Sequence, residues 1–280
     1  MPWLTRGLRN GVVTTRYPRR PDPCAAAFPA AVSPCLPADG SDEEPLSFRE
    51  AQELPRLCPT GAISVTGGRA SVDRGRCVLC GRCVRARPDR FAWRPGTETA
   101  RDSRTALVVP EVPETDEALT SLREDLARRT RALRRSVHIR HVDAGSDGAE
   151  EWEVLALLNP VYDIHRLGFF LTASPRHADV LLVTGAGAHG MAAPLARTVE
   201  AMARPIVTIA AGVDAVSGGI IAPSYAVAGG LDGLLSVDVW VPGSPPSPFS
   251  LLHALLLATG RLTAAGPDSA AGGMTSRPGR

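Results

Sequence analysis

The stretch VDVWVPGSPPSP, residues 237–248, reads as a strand of alternating apolar residues that is stopped abruptly by Gly243 and four prolines. A helical run, PFSLLHALLLATG, follows at once over residues 248–260. The same alternation recurs upstream. SVHIRHV (136–142), DVLLVTGAG (179–187) and PIVTIAAG (205–212) are β-rich runs that end at or just before turn signals. Between them lie the helical patterns EEWEVLALL (150–158) and MAAPLARTVEAMA (191–203). Strands alternating with helices argue for an α/β fold, a parallel sheet covered by helices through right-handed crossovers.

Composition narrows the classes. The chain has 280 residues, enough for two small domains, and its 44% hydrophobic content supports a globular protein. With 31 basic and 29 acidic residues the net charge is +2, which offers no case for a nucleic-acid binder. The longest apolar stretches, such as residues 251–258, are too short to span a bilayer. The first residues, MPWLTRGLRNG, lack the apolar core of a signal peptide. A cytoplasmic protein, peripheral to a membrane if associated with one, is the expectation.

Four domain-level segments precede the α/β half. Residues 1–45 are expected to be an irregular lead-in, because 17–46 is rich in Pro, Ala and acidic residues. Residues 46–93 form a compact cysteine-containing segment, 94–115 reads as a linker, and 116–135 as a solvated, charged helix. The α/β domain runs over 136–262, and the small, polar tail 263–280 is expected to be disordered.

Four of the six cysteines cluster. CPTGAI at residues 58–63 is followed by CVLCGRC at 77–83, so Cys77, Cys80 and Cys83 lie three apart and Cys58 precedes Pro59. Bacterial-type ferredoxins use that spacing for a 4Fe–4S cubane, with the remote Cys-Pro cysteine as fourth ligand. One 4Fe–4S cluster on Cys58, Cys77, Cys80 and Cys83 is the expectation, and a structural zinc ion is the alternative use of four thiolates. The positions that would hold a second ferredoxin cluster are Phe48, Ala51, Leu54 and Arg87, none of them cysteine. Cys24 and Cys35 have no partner at a useful spacing and read as ordinary thiols.

Several runs resemble the small-subunit family shared by complex I, the NADH-quinone oxidoreductase, and the group 4 membrane-bound nickel–iron hydrogenases. They are YDIHRLG (162–168), SPRHADVLLVTG (174–185), SGGI (217–220) and SYAVAGGLDGLLSVDVWVPGSPPSP (224–248). The resemblance implies a flavodoxin-like domain. GVVTTRYPRRP (11–21), with the cysteine motifs, is similar to the two-cluster ferredoxin-like subunit of formate hydrogenlyase, which implies a small ferredoxin-like domain fused ahead of it.

In the small-subunit family four cysteines hold a cluster in the flavodoxin-like domain. Two come from a D-x-G-S-C-x-G-C segment, matched here by DAGSDGAE, so Asp147 and Glu150 stand at their positions. A G-x-C-A segment is matched by GVDA, giving Asp214, and the fourth position is Ser244. Carboxylates and a hydroxyl are hard donors where clusters want soft thiolates, so this second cluster is expected to be lost. The four residues are then ordinary polar groups around a cavity, or ligands of a hard divalent cation.

The family implies a peripheral subunit on the cytoplasmic face of a membrane complex. Its partners would be a large subunit of hydrogenase or complex I type and membrane subunits. Electron transfer is the first reading, a structural or assembly subunit the second; a redox sensor is weaker because no output module is visible. No residue stands out as a general acid, base or nucleophile. Two features are absorbed by this reading. The basic run LARRTRALRRSVHIRH (126–141) leads straight into the first strand of the α/β half, and the glycine-rich GAGAHG (185–190) is a strand-to-helix turn.

Overall fold

The computed structural model describes residues 2–35, 45–110, 124–126, 128 and 136–262. The α/β half is a five-stranded sheet, in which every neighbouring pair is parallel. Its strands are β6 (Val137–Asp143), β7 (Phe169–Leu171), β8 (Val180–Thr184), β9 (Val207–Ala211) and β10 (Val239–Val241), in the order β10-β9-β8-β6-β7. Helices α4 (Ala149–Ala156), α5 (Ala192–Ala201), α6 (Val213–Ser217) and α7 (Pro248–Ala258) accompany it. This is the flavodoxin-like arrangement that the alternation and the family resemblance anticipate.

Strand side chains alternate between the two faces, and the core divides accordingly. Val180 and Leu182 belong to one cluster with Ile139, Ile209 and the residues of α7. Leu181 and Val183 belong to another with Ala210, Trp240 and Leu195 of α5. Every residue of α7 is buried. A helix that is apolar all round needs cover on its outer side as well as on the sheet side.

That cover comes from the segment expected to be irregular. Tyr17 and Phe28 meet the Phe249 ring edge-on, with centroids 6.3 and 5.9 Å away. Residues Pro29–Pro34 form β1, which pairs with β4 (Phe91–Pro95) in an antiparallel ribbon. The lead-in is therefore ordered where its few large apolar side chains find α7, which composition alone does not reveal. Ahead of it, α1 (Pro2–Asn10) buries none of its residues.

The cysteine-containing half is built on α2 (Phe48–Leu57), the hairpin β2 (Ile63–Thr66) and β3 (Arg69–Asp73), and α3 (Arg82–Ala86). Ser47 and Glu50 form a reciprocal capping box that fixes the start of α2. Gly67 and Gly68, both with positive φ, make the two-residue turn of the hairpin. The stretch after β4 differs from the expected linker. β5 (Val108–Val109) adds to β3, Leu107 is buried in the sheet-side core, and Arg101 exchanges two backbone hydrogen bonds with Trp240 at 2.9 and 2.8 Å. The two halves pack directly as well, since a Cβ on Gly75 would lie 2.7 Å from Val216 Cγ1 of α6.

The charged helix expected over 116–135 falls outside the described residues, apart from 124–126 and 128, where Leu126 is buried in the main core. The tail at 263–280 lies outside them too.

Candidate functional site

Cys58 ends α2 as its C-cap residue, where the helix gives way to extended backbone. Cys77 and Cys80 lie in the loop after β3, and Cys83 in the first turn of α3. All four line one pocket, together with apolar side chains such as Val32, Ile63 and Val72. The loop can close this tightly because Leu79 and Gly81 both adopt left-handed backbone, with φ of 54° and 66°. Gly81 has a second reason to lack a side chain, since a Cβ there would lie 2.6 Å from the Trp93 ring. Trp93 thus packs against the loop at Gly81.

The thiols sit in a field of N–H donors. The Ala62 amide donates to Cys58 Sγ at 3.2 Å, and the nearby backbone at Leu79 and Val84 favours the ionised forms of Cys77 and Cys83. Burial nevertheless pushes the Cys77 thiol up to about 12, with the neighbouring Cys83, Cys58 and Cys80 adding to it. Cys83 is raised by burial too. Such thiols stay protonated unless a cation takes the place of the protons. Soft sulfur donors, amides aimed at them and a glycine cradle all fit an iron–sulfur cluster. Among the described residues no three His, Cys, Asp or Glu side chains converge on the position of a single metal ion.

The positions of a second ferredoxin cluster are filled otherwise. Leu54 is in the core of this half, Phe48 is exposed, and Arg87 donates to Glu50 at 2.9 Å and to Asp89 at 2.7 Å. Arg87, then Ser47, holds the Glu50 carboxyl down at about 2. Cys24 is exposed, while Cys35 is half-buried near the Pro88 carbonyl, and neither forms a disulfide.

Asp147, Glu150 and Asp214 come together electrostatically at the C-terminal ends of the strands, where an open α/β sheet places its ligand sites. Asp147 lies in the turn after β6 and accepts the Ala149 amide at 3.0 Å. Glu150, in the first turn of α4, is only 2% exposed, and its Oε2 has no hydrogen-bond partner among the described residues. Burial first, then Asp214, Asp147 and Glu151, raise it to about 7. That displacement from 4.5 corresponds to roughly 3 kcal/mol, more than the ~1 kcal/mol a helix N-terminus offers an anion, so burial wins. Asp214 is raised by burial, with Asp147 and Glu151 next. Gly212 and Gly219 make room for these acids; a Cβ on Gly212 would lie 2.5 Å from Glu150 Oε1. Ser244, in contrast, is exposed in the loop after β10.

Sequence reading missed Glu151. It accepts hydrogen bonds from Ser146 at 2.7 Å and from Thr184, which also contacts His141 Nε2 at 3.0 Å. Burial lowers His141, opposed by Glu151 and Asp143. The signal was present in three polar residues, Ser146 in the turn after β6, Glu151 in the first turn of α4 and Thr184 at the end of β8. Only the fold shows that they meet. These groups do not suit an iron–sulfur cluster, since none is a thiol and carboxyl oxygens are hard donors.

Comparison with known proteins agrees with this architecture. The family model described as NADH ubiquinone oxidoreductase, 20 Kd subunit, matches residues 148–258. The chain is 36% identical over 159 residues to formate hydrogenlyase subunit 7 of Escherichia coli, covering 57% of this chain and 61% of that protein. To the probable membrane-bound hydrogenase subunit mbhJ of Pyrococcus furiosus it is 36% identical over 141 residues, 50% of this chain and 84% of that one. An NADH-quinone oxidoreductase subunit of Phocaeicola vulgatus is 44% identical over 105 residues, 37% of this chain and 53% of its own length. The chain thus spans under two thirds of the formate hydrogenlyase and quinone oxidoreductase relatives. A chain of the membrane-bound sulfane sulfur reductase, an archaeal respiratory membrane complex, matches with 26% identity and a TM-score of 0.41, over 47% of this chain and 75% of that one. With the parallel sheet, the sequence matches to its second half, and 84% of the Pyrococcus subunit covered at 36% identity, the chain belongs to the NADH ubiquinone oxidoreductase 20 kDa subunit family.

Proposed function

We propose that this chain is an electron-transfer subunit of a membrane-associated complex of the hydrogenase or NADH-quinone oxidoreductase kind. One 4Fe–4S cluster would be held by Cys58, Cys77, Cys80 and Cys83, and the family's cluster in the flavodoxin-like domain would be absent. The observation that carries this reading is the contrast in donors. Four thiols line one pocket under Trp93, whereas carboxyl groups stand at three of the four family ligand positions.

When bound, such a cluster accepts and returns one electron at a time. The chain's own part is to set its surroundings. The Ala62 amide and the backbone at Leu79 and Val84 offset negative charge on the sulfurs. Exposed apolar side chains flank the acid-lined site, Trp152 and Leu155 on α4 and Ile220 and Tyr225 beyond α6. A surface of that kind suits a large subunit of the same complex. No described helix is long and apolar enough to cross a membrane, consistent with a peripheral place, on the cytoplasmic face in this reading.

The second reading, a structural subunit without a redox role, is favoured by the acids at Asp147, Glu150 and Asp214, which would leave the family's wire without its next cluster. One experiment separates the two. In the natively purified complex, Cys77→Ser should leave assembly intact while electron flow to the acceptor falls at least tenfold. Assembly with undiminished electron flow would leave only the structural role.

A further inference from the structure

Helix α1 buries nothing, yet it is sharply two-sided. At helical spacing Trp3, Leu4, Gly7 and Leu8 share one side, and Thr5, Arg6, Arg9 and Asn10 the other. Trp3 is 72% and Leu8 77% exposed, and Val12, 85% exposed, continues the apolar surface just past the helix. The helix is not adrift. The Thr15 amide donates to the Val161 carbonyl at 2.8 Å, Thr14 Oγ1 to that of Pro160 at 2.8 Å, and Arg166 to the Tyr17 carbonyl at 2.7 Å. The apolar side is thus presented from a fixed root on the flavodoxin-like domain.

We propose that α1 lies on an anionic lipid surface, with Trp3, Leu4 and Leu8 among the acyl chains and its arginines at the headgroups. Charge selects this occupant. Residues 2–21 contain Arg6, Arg9, Arg16, Arg19 and Arg20, and no acidic residue before Asp22. A short amphipathic helix carrying Trp and Leu on one side and Arg on the other is the pattern that enters a membrane interface. The inference takes its setting from the proposed membrane complex, but its test needs only the isolated chain, so the two can fail separately.

The purified full chain would be floated with vesicles of phosphatidylcholine, alone or mixed with phosphatidylglycerol, at low and high salt. Flotation is expected with the anionic vesicles only, weakening with salt. Arg6→Gln with Arg9→Gln should reduce affinity about fivefold per arginine, and Leu4→Gln with Leu8→Gln at least as much. None of these variants should change the circular dichroism or melting of the folded chain, because α1 contributes nothing to the core. Absence of flotation would overturn the proposal, as would flotation indifferent to the leucine substitutions, which marks adsorption by charge alone. If the vesicles fail while the same variants abolish capture by the complex's membrane subunits, the occupant is protein and the proposal is wrong.

Discussion

The pocket under Trp93 and the acid-lined site beside α6 are two answers to one demand on a buried ligand site. In the first, buried thiols are pushed upward, Cys77 to about 12, and amides point at the sulfurs. In the second, a buried carboxyl is pushed up to about 7 by burial and by other acids, and Oε2 of Glu150 has no hydrogen-bond partner among the described residues. Both sites are costly as they stand. Only the first has donors that a cubane would satisfy, so the same cost points to a ligand in one place and to a neutral, proton-holding group in the other.

Substitution of the thiols breaks the comparison most strongly. Cys77→Ser should abolish iron binding at the first pocket and, by leaving the loop without its centre, lower melting by more than 10 °C, an order-of-magnitude expectation for loss of a structural metal group. Iron content and calorimetry check it. Next in size is Gly81→Val, which forces a β-branched residue into left-handed backbone and against Trp93. Iron loading should fall several-fold while the flavodoxin-like half keeps its melting point; full loading would mean the loop is not held as described.

The acid-lined site answers to pH instead. Glu150 has a raised folded value, so the folded state binds its proton more tightly than the unfolded chain does. Its contribution is fully present below the unfolded value of 4.5 and is lost as pH rises to about 7. Glu150→Gln should therefore stabilise the protein at pH 8 by about 1–3 kcal/mol and do little at pH 4.5. Denaturant titrations at the two pH values measure it. Equal effects at both would mean that this carboxyl is not held neutral. A smaller effect of the same sign is expected for Asp214→Asn, since Asp214 is raised as well but is less buried.

The parallel sheet was readable because its strands are β-rich runs, some alternating and some continuously apolar, ended by turn residues, and β8, buried along its whole length, is the clearest of them. The cysteine motif was readable because a close thiol set needs fixed spacing. The roles of Tyr17 and Phe28 were not, because their partner Phe249 lies more than two hundred residues away in the chain. The helix α7, apolar but for Ser250 and His253, did carry a hint that something must cover it. Asp147, Glu150 and Asp214 could be set at family positions one by one. Their mutual repulsion, and the place of Glu151 among them, follow only from strands that bring distant turns to one edge.

The central claim, a cluster at the thiols and none at the acids, is tested most directly by chemical iron and sulfide analysis with EPR of the reduced, anaerobically purified chain. The account predicts about four irons and four sulfides per chain and one cubane signal. Both should vanish in Cys77→Ser and persist in Glu150→Gln. Twice that iron with two interacting signals, or zinc in place of iron, would contradict it.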